Sequence, residues 1–366
     1  MRILTLITGS LLCLLPVSAK TLPLEQLQLP DGYSISVAAR VDNARQMTLG
    51  AEGWLYVGSR REGKVYRLRD QDNDGIYEQQ ETLMRRLKMP TGVVWHNGDL
   101  YVAAVNRILR VAGVDQLKRE SLPVRGQLIT DDLPDATHHG WKYLKFGPDG
   151  QLYFNLGAPC NTCLSDDPRF ASLMRLNLKT LQQEVIAEGV RNSVGFTWHP
   201  HDQSLWFTDN GRDHLGDGLP ADELNRLTDT GGHYGYPFVH GGDLPDPDFY
   251  EGQPLAQFIK PELKLGAHVA PLGLTFYEGQ QLPDIDHNDL FIAVHGSWNR
   301  SRKVGYRVIR VDTASRPLQA EPFITGWLQG ESAWGRPVDV LTDRDGSLLI
   351  SDDKAGAIYR VRYNQQ

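Results

Sequence analysis

The chain has 366 residues, 40% hydrophobic and 23% charged, with a net charge of -7. That balance suits a globular protein and argues against a nucleic-acid partner, because phosphate binding wants Lys and Arg clustered in excess. Beyond the first 20 residues no apolar run is long enough to span a bilayer, so a membrane-spanning protein is not expected.

Met1-Arg2, the apolar run Ile3 to Leu15 and the small-residue site Val17-Ser18-Ala19 read as a secretory signal peptide over 1–19. Leu12 before Cys13 is the wrong size for lipoprotein processing. The mature chain is therefore expected to be exported, periplasmic or secreted, with 20–366 forming a single domain. From Gly32 to Val41, Tyr33, Ile35 and Val37 alternate with Ser34 and Ser36, the pattern of a half-buried strand. It has no hairpin partner nearby, and we expect it beside 357–363.

A repeat dominates the rest. Leu followed by an aromatic or aliphatic pair recurs as Leu55-Tyr56-Val57, Leu100-Tyr101-Val102, Leu152-Tyr153-Phe154, Leu205-Trp206-Phe207, Leu290-Phe291-Ile292 and Leu348-Leu349-Ile350. Most copies precede a second short strand with a basic residue between aliphatics, such as Val65-Tyr66-Arg67-Leu68 and Ile358-Tyr359-Arg360-Val361. Six four-strand units predict an all-β, six-bladed β-propeller, closed by the N-terminal strand joining the last blade. The wide gap between the fourth and fifth copies predicts a long insertion at about 212–270.

After the first repeat, DQDNDGIYEQQE sets Asp70, Asp72, Asp74, Glu78 and Glu81 around a bend at Gly75, the spacing of an oxygen-rich calcium loop. A solvated acidic turn is the plainer alternative. In HHGWKYLKFGPDGQLYFNLGAPCNTC, the turn Gly147-Pro148-Asp149-Gly150 joins two runs of β-formers, and His138 and His139 precede the first. Cys160 and Cys163 suit a small disulfide loop in an oxidising compartment, with a redox CxxC or half of a zinc site as alternatives. Further on, Arg191-Asn192, Asp209-Asn210-Gly211-Arg212, Asp222-Glu223, Lys303 and Arg336 adjoin predicted strands, so that polar groups from several blades meet at one end of the axis. His295, in HGSWNR, is expected at the rim.

Taken in order, HHGWKYLKFGPDG, GVRNSVGF, FTDNGRD with DELN, GGHYGYP, HVAPLGLTFY and WGRPVDV resemble the soluble pyrroloquinoline quinone (PQQ) dependent glucose and sorbosone dehydrogenases over roughly residues 29–363. That resemblance implies a six-bladed propeller that oxidises a small-molecule sugar, an aldose or sorbosone-type aldehyde, and passes electrons to an external acceptor. His139 matches the family's catalytic base and Arg191 the arginine that polarises the quinone carbonyl. Asn192, Asn210, His268, Lys303 and Arg336 match cofactor contacts. Gly211 and Arg212 match the carbonyl donors of a cofactor-side calcium, and Asp222 and Glu223 fall where acidic groups bind further calcium.

The departures from the family are specific. Ala158 stands where the family has an aspartate partner for the base. Val194 and Asn210 replace glutamines, His268 a threonine and Val338 an arginine. These changes fit the sorbosone-type branch better than the glucose-type one. Two other classes fit a six-bladed propeller: a calcium-dependent lactonase using Asn192, Asp209 and Asn210, and a noncatalytic exported binding module. The sequence leaves a homodimer open.

Overall fold

The computed structural model describes residues 21–364, so the expected signal peptide lies outside the described residues. Six sheets with an antiparallel four-stranded core, the third carrying a fifth strand in parallel, are arranged as the blades of a propeller. The first runs through Ala44–Leu49, Trp54–Ser59, Val65–Arg69 and Gln79–Met84, and the second through Gly92–His96, Asp99–Ala104, Arg107–Val111 and Gln127–Thr130. The third comprises Leu144–Phe146, Leu152–Leu156, Ser172–Leu176 and Gln183–Glu188. The fourth uses Phe196–Trp198, Leu205–Asp209, Ala221–Arg226 and Leu263–Ala267, and the fifth Pro271–Phe276, Leu290–Val294, Arg307–Asp312 and Gln319–Ile324. In the sixth, Pro337–Thr342, Leu348–Asp352 and Ala357–Tyr363 are completed by Tyr33–Arg40, which pairs antiparallel with Ala357–Tyr363. Closure by the N-terminal strand thus follows the expected pairing.

The repeated Leu-aromatic signature is the second strand of every blade. Blades stack face to face, so this strand is covered on both sides, and Trp54–Ser59, Leu152–Leu156, Leu205–Asp209, Leu290–Val294 and Leu348–Asp352 are buried at every residue. A strand buried on both faces reads as a continuous apolar run rather than an alternation. Outermost strands such as Gln319–Ile324 meet solvent and are correspondingly polar.

The expected insertion at about 212–270 is divided by two blade strands, Ala221–Arg226 and Leu263–Ala267. The extra chain is therefore a loop over 210–220 and an excursion over 227–262. The excursion adds Gly232–His233 in parallel to the outer strand of the third blade, capping an edge that would otherwise offer unpaired backbone groups.

Candidate active site

In an antiparallel blade the start of the first strand and the end of the second lie at the same end. Loops entering first strands carry His139 and Trp141, Arg191 and Asn192, His268 and Ala270, and Arg336, while Arg45 sits at the start of its strand. Turns leaving second strands carry Arg60, Ala158, Asn210 to Asp213, His295 to Trp298, and Asp353. These two sets meet around a cavity of about 300 Å³. Val194, Leu272 and Val338 form an apolar cluster with Trp141 at its base. Val194 and Val338 thus lie behind Leu272 and Trp141, which face the cavity.

His139 is held in the left-handed region, at φ 47°, which costs a non-glycine residue free energy that the surroundings must supply. Gly157 makes this conformation packable: a Cβ there would lie 2.6 Å from the Cβ of His139. The Ala158 carbonyl accepts a hydrogen bond from His139 Nδ1 at 2.9 Å, replacing the missing aspartate. A carbonyl only accepts, so Nδ1 carries the proton. Burial, then the nearby Arg191 cation, pushes the imidazole pKa well below its usual value, which leaves Nε2 as a bare lone pair.

Arg191 is buried, and its guanidinium donates to the Asn161 carbonyl and side chain and to the Asn210 carbonyl. Its backbone N–H and that of Asn192 donate to the two carboxylate oxygens of Asp209, at 2.9 and 2.6 Å. Burial, then repulsion from Glu223, pushes the Asp209 carboxyl upward, and burial raises Glu223 to about 7. Asn192 accepts from the Trp141 indole, and the Asn210 amide donates to the Asn192 and Pro271 carbonyls. His268, also at positive φ, bonds the Gly216 carbonyl.

The opposite wall is ionic. Asp353 takes Arg45 on one carboxylate oxygen and His295 Nε2 on the other, each at 2.9 Å. Arg336 donates to the His295 and Gly296 carbonyls. Arg60 lies 4.4 Å over the Trp141 ring, and burial lowers its pKa only to about 10, so it stays charged.

Several expected residues lie elsewhere. Lys303 is exposed, its Nζ bonded to the Glu331 carbonyl and its backbone N–H to the Glu331 carboxylate. The Arg212 side chain is drawn away by Asp246 and Asp248 of the excursion. Asp222 lines the cavity, but its oxygens accept the backbone N–H groups of Gly211 and Ala270. Glu223 instead accepts from Gly241 and Asn225. Through these bonds both carboxylates brace loops. In the acidic loop, Asp70, Asp72 and Glu78 gather, whereas Glu81 is buried against Arg67 at 2.6 Å and Asp74 binds the Ile76 N–H. Cys160 and Cys163 are disulfide-bonded.

Sequence reasoning missed Arg45, Arg60, Asp213 and Asp353. Their common signal is a charge at the start of a first strand or just past the end of a second one.

The ring of blades thus sets several imidazoles and guanidiniums and the apolar side chains of Trp141 and Leu272 around one axial cavity. The TrAA12-like family model matches residues 251–364. An uncharacterized protein of Borreliella burgdorferi is 35% identical over 354 residues, covering 93% of this chain and 91% of that protein. The PQQ-dependent pyranose dehydrogenase of Coprinopsis cinerea is 27% identical over 128 residues, 29% of this chain but only 17% of that enzyme's length. Its PQQ domain superposes with a TM-score of 0.76 at 17% identity, covering 92% of this chain and 97% of that one. A Trichoderma reesei AA12 structure gives the same TM-score and coverage at 20% identity. The chain belongs to one family with the Borreliella burgdorferi protein and shares the six-bladed propeller fold of the PQQ-dependent dehydrogenase and AA12 structures.

Proposed function

We propose that this chain is an exported sugar oxidoreductase of the PQQ-dependent type, acting on an aldose or sorbosone-type aldehyde and passing electrons to an external acceptor. One observation carries the reading: the bare Nε2 of His139 and four guanidiniums, of Arg45, Arg60, Arg191 and Arg336, share one cavity with an apolar floor. That set fits a flat aromatic polyanion. Carboxylates are met by guanidinium forks, and the ring system by Leu272 and Trp141. Arg45, Arg60 and Arg336 would take the clamp role expected of Lys303. The Gly211 and Arg212 backbones would hold the cofactor-side calcium, while Asp70, Asp72 and Glu78 are the remaining candidates for a structural one.

When bound, the quinone supplies the two-electron oxidant. His139 accepts the proton of the sugar hydroxyl on Nε2, its ring fixed by the Ala158 carbonyl. Arg191, immobilised by Asn161 and Asn210, provides a fixed positive charge that needs no reorientation as negative charge develops. The disulfide and the N-terminal reading support export, because such bonds persist in oxidising compartments.

The test is reconstitution of purified protein with calcium and PQQ, followed by dye reduction across aldoses and ketoaldehydes. Saturable turnover is expected. Absence of both quinone binding and turnover overturns the reading.

A further inference from the structure

The second imidazole of the cavity, His295, has no part in the chemistry above. Asp353 only accepts hydrogen bonds, so His295 Nε2 carries the proton it shares with that carboxylate. Burial is the main reason the ring stays neutral, with its pKa pushed down to about 4. Nδ1 is then a bare acceptor. It has no hydrogen-bond partner among the described residues and is not sealed inside protein, and the residue lines the cavity.

The ring is anchored from three blades. Arg45 holds the other oxygen of Asp353, the His295 N–H donates to the Ala270 carbonyl at 2.8 Å, and Arg336 grips the His295 and Gly296 carbonyls. The charged groups around it are Arg45, Arg336 and Asp353, with Asp352 at the end of the strand before that turn. Of these, the cations that line the cavity are donors only. Among them one fixed acceptor selects a ligand that presents a donor beside its anionic groups.

We propose that His295, locked by Asp353 and Arg45, is the ligand-selecting acceptor of this cavity, its Nδ1 taking a hydrogen bond from an N–H or O–H flanked by the groups the arginines hold. The inference rests on the function proposed above. In PQQ the pyrrole N–H lies between two carboxylates, which is the arrangement this wall complements. A sugar hydroxyl is the other source of such a donor.

Two measurements test it. In the ligand-free protein, ¹⁵N spectra of the imidazoles should show His295 Nδ1 unprotonated, and Asp353→Asn should mix or reverse the tautomer. PQQ affinity, followed by quenching of tryptophan fluorescence in calcium-loaded apoprotein, should fall about tenfold in His295→Leu. His295→Asn, which keeps an acceptor near the Nδ1 position, should recover most of the loss and is the variant to read if the leucine form misfolds. Unchanged PQQ affinity with a raised sugar KM assigns the donor to the sugar and also supports the inference. A protonated Nδ1 overturns it, as does unchanged affinity and KM in both variants. Failure of the unsubstituted protein to bind any quinone removes the proposed function as well, whereas quinone binding indifferent to His295 removes this inference alone.

Discussion

The two walls of the axial cavity are built by different means. On the side of the third and fourth blades, His139 and Arg191 are positioned by the backbone: a carbonyl for the imidazole, and two N–H groups bracketed by Asp209. On the side of the fifth, sixth and first blades, His295, Asp353, Arg45 and Arg336 are positioned mainly by one another's charges. Of the braces named on the first wall only Asp209 is titratable, while on the second the side-chain ion network depends on every member's protonation state. The first arrangement suits chemistry on a fixed atom, the second recognition of a charged ligand.

The largest expected effect breaks the first wall. His139→Ala should lower turnover by about a thousandfold in dye reduction, within the range for loss of a general base, while leaving quinone affinity within about twofold. Equal loss of both would move His139 from chemistry to binding. On the second wall, Arg336→Ala should weaken quinone binding by about tenfold or more with a smaller change in turnover at saturation, measured by fluorescence titration. The two walls should also differ in acid. The folded-state pKa of His295 lies below its ordinary value, so its contribution to stability is complete above about pH 6.5 and is lost as pH falls toward about 4. Asp353 is lowered too, despite its burial, by His295 and Arg45, and its contribution fades only in more acidic solution. Between those pH values the thermal midpoint of the ligand-free protein should therefore fall relative to that of His295→Asn, a linkage on the order of 3 kcal/mol. The smallest effect sharpens the comparison: Lys303→Ala should leave quinone affinity and turnover within about twofold, because the residue belongs to neither wall.

Much of this was legible in the sequence. The second strands announce themselves because burial on both faces demands an unbroken apolar run, and the N-terminal strand because its alternation had no local partner. The motifs around His139 and Arg191 were readable because backbone brackets need particular residues at fixed spacing. Arg45, Arg60 and Asp353 were not, since an ion network is assembled from residues far apart in the chain and leaves no local pattern. Lys303 shows the same limit: its neighbours in sequence matched, but its exposed Nζ is bonded to the Glu331 carbonyl. Glu81 fitted a calcium spacing, yet its place in the strand Gln79–Met84 set it opposite Arg67, and cross-strand pairing decided its role.

The pairing of Tyr33–Arg40 with Ala357–Tyr363 has a consequence for timing. A ribosome releases the first of these segments long before the last, so the sixth blade exists only once synthesis is finished. Arg336 and Asp353 reach their places with that blade. A growing chain can display His139 and Arg191 without Arg336 and Asp353, so under the proposed function loading of the pocket would wait until the circle is shut.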